Sequence, residues 1–260
     1  MKISILLPDL RGGGAERVNL DLAYEFSSFG HDIEFVLMQA TGEFLPSAQR
    51  DFQVFDLGTQ RTRGVPAELA RYLRQRKPEA MIANMWPLTS AAVIGRSLAR
   101  HQCRLLLMEH NTLTQQYSSW GRLHTGMMAC SMAATYRFAD LVAAVSKGAA
   151  DDTAQLARLT SDRVKVLYNP IPPREAPSCE AMQNAAALWD CPSGERILTV
   201  GSLKDQKNHA LLLRAFADIQ STKARLMLLG QGENEAALRA MAVDLGIADR
   251  IVFAGFQPDP

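Results

Sequence analysis

Short apolar runs recur along the chain, with segments of helical periodicity between them. The runs predict buried strands at Ile3–Leu7, Ile33–Met38, Val54–Leu57, Ala80–Ala83, Leu105–Met108, Leu141–Val145 and Val164–Tyr168. The intervening segments repeat apolar residues three and four positions apart, which predicts helices at Ala15–Phe29, Ala67–Arg76 and Leu88–Arg100. Because strands buried on both faces are nearly continuous in apolar character, this alternation predicts a parallel α/β sheet covered by helices.

The alternation of apolar runs and helical segments stops between Asn169 and Glu195, a stretch that holds five of the twelve prolines. Proline fixes φ and removes an amide donor, so we interpret residues 171–195 as a linker between an N-terminal domain, 1–170, and a second domain, 196–260. The alternation then resumes with predicted strands at Ile197–Val200, Leu226–Leu229 and Ile251–Phe253. Three strands are few for a doubly wound domain, so we expect the second domain to be incomplete.

Composition narrows the class of protein. The chain has 260 residues, of which 47% are hydrophobic and 21% charged, and its formal net charge is +1. These values are typical of a globular protein and provide no basic field for a nucleic-acid partner. The four cysteines lack the paired spacing of a zinc or disulfide site, and no apolar stretch approaches the roughly 18 residues of a membrane span. We therefore predict a cytoplasmic protein, with the inner face of the membrane as an alternative location.

Three consecutive glycines, Gly12, Gly13 and Gly14, join the first predicted strand to the first predicted helix. The first amides of a helix lack partners and attract anions, and glycine lets a ligand approach the backbone closely. Such a turn fits a dinucleotide, or a phosphorylated sugar donor and its acceptor; a plain tight turn is the alternative. The dinucleotide fingerprint fails, because its glycine spacing is absent and the second strand ends "VLMQA" without an acidic residue.

Five stretches together carry a family resemblance, and they are "GGGAERVNLDLAYEFSSFGHDIEFV", "LLLMEHN", "VLYNPI", "VGSLKDQKNHALLLRAFA" and "LMLLGQGENEAALRAMAVDLGIADRIVFAGF". In this order the chain resembles the family-four (group one) glycosyltransferases. The resemblance implies the GT-B fold, in which two Rossmann-like domains face each other across a cleft, the first binding the acceptor and the second the nucleotide sugar. It implies retaining transfer of a sugar from a nucleotide-diphosphate donor to a saccharide or lipid-linked acceptor, without a required metal and with no other cofactor.

The resemblance also implies which residues carry the chemistry. Lys207, in "KDQKN", stands where similar enzymes place a lysine on the diphosphate, and His110, in "MEHN", stands where they contact the transferred sugar or the reaction centre. A solvated lysine and a capping or core histidine are the alternatives. The further binding candidates are Gly13, Gly14, Ser202, Gly230, Gly232 and Phe256. Ser202 replaces an arginine that the family often carries, so one expected cation is missing.

Two other segments bear on the acceptor. Residues 61–77 hold five arginines and one lysine against one glutamate, and the helix predicted there either covers the sheet or lies on anionic lipid. The methionines of the segment after His110 either line an adaptable pocket or pack in a helical core, and they are Met127, Met128 and Met132. Tyr117 and Trp120 are candidates for stacking on a sugar.

The leading hypothesis is thus a nucleotide-sugar glycosyltransferase. A catalytically inactive, truncated relative that acts as a binding protein is the alternative, and a sugar-nucleotide epimerase of the same fold is disfavoured by "GGGAERV" and "KDQKN". The family's glutamate pair would follow Pro260, so we expect this chain to bind nucleotide sugar poorly.

Overall fold

A computed structural model of the chain describes residues 1–171, 176–189 and 194–257. The chain divides into two compact units, Met1–Pro172 and Pro173–Pro260. Parts of the segment interpreted as a linker, together with Cys191, lie outside the described residues. The assignment of the two units as acceptor and donor domains stays a prediction.

Seven parallel strands form the sheet of the first unit. In chain order they are β1 (Lys2–Leu7), β2 (Asp32–Leu37), β3 (Gln53–Asp56), β4 (Ala80–Asn84), β5 (Arg104–Glu109), β6 (Leu141–Ala144) and β7 (Val164–Val166). Their order in the sheet is β3-β2-β1-β4-β5-β6-β7. The predicted strands are confirmed, with ends that differ by one or two residues, because continuous apolar runs mark strands that are buried on both faces.

Helices connect these strands, and they are α1 (Gly14–Ser28), α2 (Leu45–Asp51), α3 (Val65–Arg76), α4 (Leu88–Ala99), α5 (Leu113–Gln116), α6 (Gly121–Thr135) and α7 (Lys147–Ala157). The three predicted helices, α1, α3 and α4, are confirmed. Helix α7 was not predicted, because its buried face carries Asp152 and Thr153, which interrupt the apolar stripe that marks a helix in a sequence.

The strand order reverses between β1 and β4. From β1 the chain proceeds outward to β2 and β3, and it then returns to β4 and proceeds the other way. The register pairs Leu6 with Ala83 and Asn84 with Met108, so the carboxyl ends of β1, β4 and β5 lie side by side. Loops diverge at such a reversal and leave a crevice where open α/β sheets bind their ligands.

Helix α3 packs its apolar face against the sheet. Its completely buried side chains include Leu69, Tyr72 and Leu73. On the polar side, the Arg76 guanidinium lies 2.8 Å from the carboxylate of Glu34, which is itself buried. The interpretation of this helix as a cover of the sheet is confirmed. The apolar side chains that the alternative would place on lipid are inside the protein, so nothing in the described part of the chain supports contact of α3 with a membrane through them.

Helix α6 divides its methionines between the core and the surface. Met128 and Met132 are completely buried, whereas Met127 is 57% exposed. Core packing is therefore confirmed for two of the three methionines that the sequence singled out. Met127 shares the exposed side of the helix with Leu123, one turn earlier, which is 80% exposed.

The second unit is a smaller parallel sheet with its own core. Its strands are β8 (Arg196–Val200), β9 (Arg225–Leu229) and β10 (Ile251–Gly255), and its helices are α8 (Cys179–Ala187), α9 (His209–Ala217) and α10 (Glu235–Asp244). The order β10-β9-β8 places β9 in the middle, where Leu226 and Leu228 pack against Leu213 and Phe216 of α9. The three strands predicted after the linker are confirmed.

Candidate functional site

The glycine turn leaves open space above the start of α1. Gly14 is the first helical residue and Gly13 precedes it with φ of −88°, so these two glycines do not supply a left-handed backbone. A Cβ on Gly14 would meet no heavy atom within 4 Å, and a Cβ on Gly13 would meet only the flexible carboxylate of Glu16. Neither backbone conformation nor packing of the described residues requires glycine at position 14, and the turn has room for a ligand.

Carboxylates dominate the charge of this turn. The Arg11 Nε donates to the Asp9 carboxylate at 2.8 Å, and the amide of Gly12 donates to Glu43 at 2.9 Å. The hydrogen bond to Asp9 raises the pKa of the Arg11 guanidinium, and the charges of Glu16 and Glu43 raise it further. With three acidic side chains around one arginine, the turn suits the hydroxyl groups of a sugar better than a diphosphate.

His110 lies directly after β5, where it joins a buried polar network. Its Nε2 is 2.9 Å from the Oδ1 of Asn84, at the end of β4, and the Asn19 Nδ2 of α1 donates to the same oxygen at 3.2 Å. Asn84 is completely buried. Burial lowers the pKa of His110 to about 4, so the ring is neutral at pH 7. The network ties the predicted site histidine to the helix that follows the glycine turn.

Glu109, the residue before His110, is completely buried at the centre of a second network. Its carboxylate accepts hydrogen bonds from the Tyr136 hydroxyl at 2.5 Å, the Thr89 hydroxyl at 3.0 Å and the Trp86 amide at 3.1 Å. Burial raises the pKa of Glu109 to about 7, although these hydrogen bonds act in the opposite direction. The network fixes β5 to the turn after β4, so it holds the backbone on both sides of the His110–Asn84 pair.

Aromatic rings gather beside this edge. Trp86, from the turn after β4, contacts Tyr117 with ring centroids 5.4 Å apart, and Tyr117 contacts Trp120 at 5.2 Å. His124 completes the group, with its ring centroid 4.5 Å from that of Trp120. Trp120 is 62% exposed, so one face of the cluster is open to solvent. Sugar rings stack on such surfaces through their apolar C–H faces, which fits the prediction for Tyr117 and Trp120.

In the second unit, close backbone contacts join the turns after the three strands. Gly230 has φ of 138°, and a Cβ there would lie 2.1 Å from the carbonyl oxygen of Gly201. A Cβ on Gly232 would lie 2.3 Å from the carbonyl oxygen of Leu203. The amide of Gly230 donates to the carbonyl of Gly255 at 2.7 Å. The predicted binding glycines Gly230 and Gly232 thus have a packing role, whatever else contacts them.

Lys207 lies in the turn between β8 and α9, exposed to solvent. Its methylene groups lie beside Gly201, where a Cβ would be 3.5 Å from the lysine Cε. Among the residues that the structure describes, no carboxylate forms an ion pair with Lys207. Ser202 begins the same turn, and Phe256 follows β10, both partly buried. This edge therefore carries Lys207 beside glycine-rich backbone, an arrangement that suits an anionic group.

The residues missed by sequence reasoning are the buried polar ones, and they are Asn19, Asn84, Glu109 and Tyr136. Each is separated by many positions from its partner, so no local pattern pairs them. The available signal was position: Asn84 and Glu109 end two neighbouring strands, where polar residues in otherwise apolar runs are unusual.

In the part of the chain that the structure describes, no three His, Cys, Asp or Glu side chains are arranged to hold a metal ion. None of the described helices is long and apolar enough to span a membrane.

These features define an α/β protein with two parallel sheets. In each sheet the candidate binding residues lie at the carboxyl ends of the strands, where open α/β sheets bind ligands. Residues 12–175 match the model of Glycosyltransferase Family 4, and residues 192–260 match that of Glycosyl transferases group 1. The chain belongs to the group 1, family 4 glycosyltransferases.

Individual relatives agree with this assignment. The chain is 34% identical over 125 residues to an N-acetylgalactosamine-N,N'-diacetylbacillosaminyl-diphospho-undecaprenol 4-alpha-N-acetylgalactosaminyltransferase of Campylobacter jejuni, covering 48% of this chain. It is 29% identical over 174 residues to an uncharacterised glycosyltransferase of Methanocaldococcus jannaschii, covering 63% of this chain. The chain's aligned parts span 32% and 43% of these two relatives.

Solved structures confirm the fold. The Anabaena protein HepE in complex with UDP-glucose superposes with a TM-score of 0.79 at 20% identity, covering 99% of this chain and 69% of HepE. The lipopolysaccharide glycosyltransferase WaaG gives a TM-score of 0.69 at 14% identity, with 99% and 70% covered. The predicted GT-B fold with two Rossmann-like parallel sheets is confirmed, and the second sheet is the smaller of the two, with three described strands.

Proposed function

We propose that the chain takes part in retaining glycosyl transfer, moving a sugar from a nucleotide-diphosphate donor to a saccharide or lipid-linked acceptor. The observation that carries the proposal is the polar edge of the first sheet, where His110 and Asn84 meet at the strand reversal in a chain of this family. The N-terminal unit binds the acceptor and the C-terminal unit the donor.

Names of relatives support the donor and acceptor classes. The Campylobacter jejuni relative is named for a diphospho-undecaprenol acceptor, and HepE was crystallised with UDP-glucose. A uridine-diphosphate sugar and an acceptor linked to a polyprenyl diphosphate are accordingly the first reagents to test.

The chemistry assigns different tasks to the two edges. Transfer breaks the bond between the anomeric carbon and the diphosphate oxygen and forms a bond from that carbon to an acceptor hydroxyl oxygen. The departing diphosphate gains negative charge, which Lys207 and the neighbouring backbone amides stabilise. The hydroxyl proton leaves with the phosphate or solvent. Neutral His110 and the carboxylates of the glycine turn bind hydroxyl groups. Hydroxyl groups are uncharged, so they need hydrogen-bonding partners rather than a cation.

Peripheral membrane contact belongs to the same proposal, through α6 rather than α3. In α6, Leu123 is 80% exposed and Met127 is 57% exposed. Trp120, directly before the helix, is 62% exposed. Residues 110–139 contain no aspartate or glutamate, whereas Arg122 and Arg137 lie in that stretch. Apolar side chains flanked by cations suit an anionic bilayer, which is where a lipid-linked acceptor resides.

The test is a transfer assay on the full chain. Purified protein is incubated with a panel of uridine-diphosphate sugars and a polyprenyl-diphosphate-linked saccharide, the product mass is measured, and the anomeric configuration is read by NMR. We expect one added sugar of retained configuration, and loss of product in His110→Ala. His101→Ala, whose ring bonds the carbonyl of Pro78 elsewhere in the unit, is the matched control and should be active. An inverted product, or no transfer from any donor, contradicts the proposal.

A further inference from the structure

The hydrogen bond between His110 and Asn84 determines which nitrogen of the histidine carries the proton. The Asn84 side chain is completely buried, and its Nδ2 donates to the carbonyl of Leu6 at 3.1 Å. That bond fixes the orientation of the amide, so Oδ1 is the atom that faces His110 Nε2 at 2.9 Å. An amide oxygen only accepts hydrogen bonds. The proton of a neutral His110 therefore lies on Nε2.

Asn19 strengthens this assignment from the other side. Its Nδ2 donates to the carbonyl of Ala15 at 2.8 Å and to the Oδ1 of Asn84 at 3.2 Å. The Asn84 oxygen thus accepts from Asn19 and from His110 at once. Turning the Asn84 amide around would place its amino group against the amino group of Asn19 and its oxygen against the carbonyl of Leu6.

The other ring nitrogen is left with an unused lone pair. His110 Nδ1 is buried and has no hydrogen-bond partner among the described residues. In a neutral imidazole with Nε2 protonated, Nδ1 is an acceptor. The group it lacks is a hydrogen-bond donor, such as the hydroxyl of a sugar; a phosphate oxygen, which accepts, would not satisfy it.

We propose that Asn84 is the positioning residue of the site: it holds the His110 proton on Nε2, so that Nδ1 is presented as an acceptor for a hydroxyl group of the bound sugar. The role of that hydroxyl in transfer rests on the proposed function. The position of the proton does not, because it follows from contacts inside the protein. Asn84 acts through His110 and is not required to touch the substrate.

The experiment is a long-range ¹H–¹⁵N NMR spectrum of the histidine rings in the full chain without ligand at pH 7, with the His110 signals assigned by comparison with His110→Gln. We expect the pattern of a ring protonated at Nε2 only. In Asn84→Ala this pattern should move toward a mixture of the two tautomers. Asn19→Ala is the matched control, because it removes a buried amide from the same network but keeps the bond to His110, and its pattern should be that of wild type.

Two results would overturn the proposal: a wild-type ring protonated at Nδ1 or at both nitrogens, or a folded Asn84→Ala whose ring keeps the wild-type pattern. The first result is decisive even if Asn84→Ala does not fold. If the wild-type and variant patterns agree with expectation while no transfer is found in the product assay, the proposed function fails and the assignment to Asn84 stands.

Discussion

The carboxyl edges of the two sheets are held together in different ways. In the first unit, side chains hold one another: Glu109 and Asn84 are completely buried and accept hydrogen bonds from residues on other elements. In the second unit, backbone holds backbone: Gly230 lies against the carbonyl of Gly201, while Lys207 is exposed. The difference teaches that the first edge presents fixed side-chain chemistry, whereas the second presents main-chain amides beside an exposed lysine.

The largest effect is expected from Glu109→Ala. The change leaves the donors on Tyr136, Thr89 and Trp86 without their acceptor in a buried place, which should lower the free energy of unfolding by about 3–4 kcal/mol in urea. Glu233→Ala, at an exposed glutamate of the second edge, should change it by less than about 0.5 kcal/mol. Equal effects of the two changes would remove the contrast between the edges.

The pH dependence of the free energy of unfolding tests the carboxyl group of Glu109 separately. The pKa of Glu109 is raised from 4.5 to about 7, so between these values the folded protein keeps a proton that the unfolded chain has released. The contribution of protonated Glu109 to the free energy of unfolding is complete below pH 4.5 and is lost as the pH rises through 7.

In Glu109→Gln this loss is absent. The unfolding free energy of the variant, relative to wild type, should therefore rise by up to about 3 kcal/mol between pH 4.5 and 7. Urea unfolding of both proteins across this range measures the difference, in which the opposite titration of His110 cancels. A difference that is constant with pH would show that Glu109 is ionised throughout.

Sequence reasoning located the strands because apolar runs are local. It did not find Asn84 or Glu109, because their partners become neighbours only through the register of β1, β4 and β5. The same limit hid the packing of Gly230 against another turn, while the role of Gly230 in binding stays a prediction. That contact lies about thirty positions away in sequence, beyond the reach of any periodic pattern.

Composition alone did not separate two neighbouring residues of one kind that lie on different sides of a helix. Met127 and Met128 were grouped by composition, yet a helix turns about 100° per residue, and the structure buries only the second. Lys207 was placed correctly in its turn, since the motif around it spans a strand end and a helix start. Its role in binding diphosphate stays a prediction.

Backbone contact at the second edge is tested by Gly230→Ala. A Cβ there would lie 2.1 Å from a backbone oxygen, and the φ of 138° disfavours any side chain. We expect the free energy of unfolding of this unit to fall by about 2–3 kcal/mol, as measured by calorimetry. Gly126→Ala, in α6, where a Cβ meets nothing within 4 Å, should instead stabilise by about 0.5–1 kcal/mol. Similar losses for both variants would contradict the packing role.

The smallest effect on stability, and a specific effect on binding, is expected from Lys207→Ala. Stability should change by less than about 0.5 kcal/mol, because the side chain is exposed. Affinity for UDP in calorimetric titration should fall about tenfold to a hundredfold, since a charge-assisted hydrogen bond is lost. Lys204 is another exposed cation of the same turn. Its variant Lys204→Ala should bind UDP only about two- to threefold more weakly than wild type. Equal affinities for wild type and Lys207→Ala would remove Lys207 from the site.

The central claim is that the diphosphate belongs to the backbone-built edge of the second unit. It is tested most directly by mapping UDP onto the full chain through changes in its backbone amide NMR signals. We predict that the largest shifts fall on residues 201–207 and 230–232. Shifts confined to the edge that carries Asn84 and His110, or no shifts at millimolar UDP, would contradict the account.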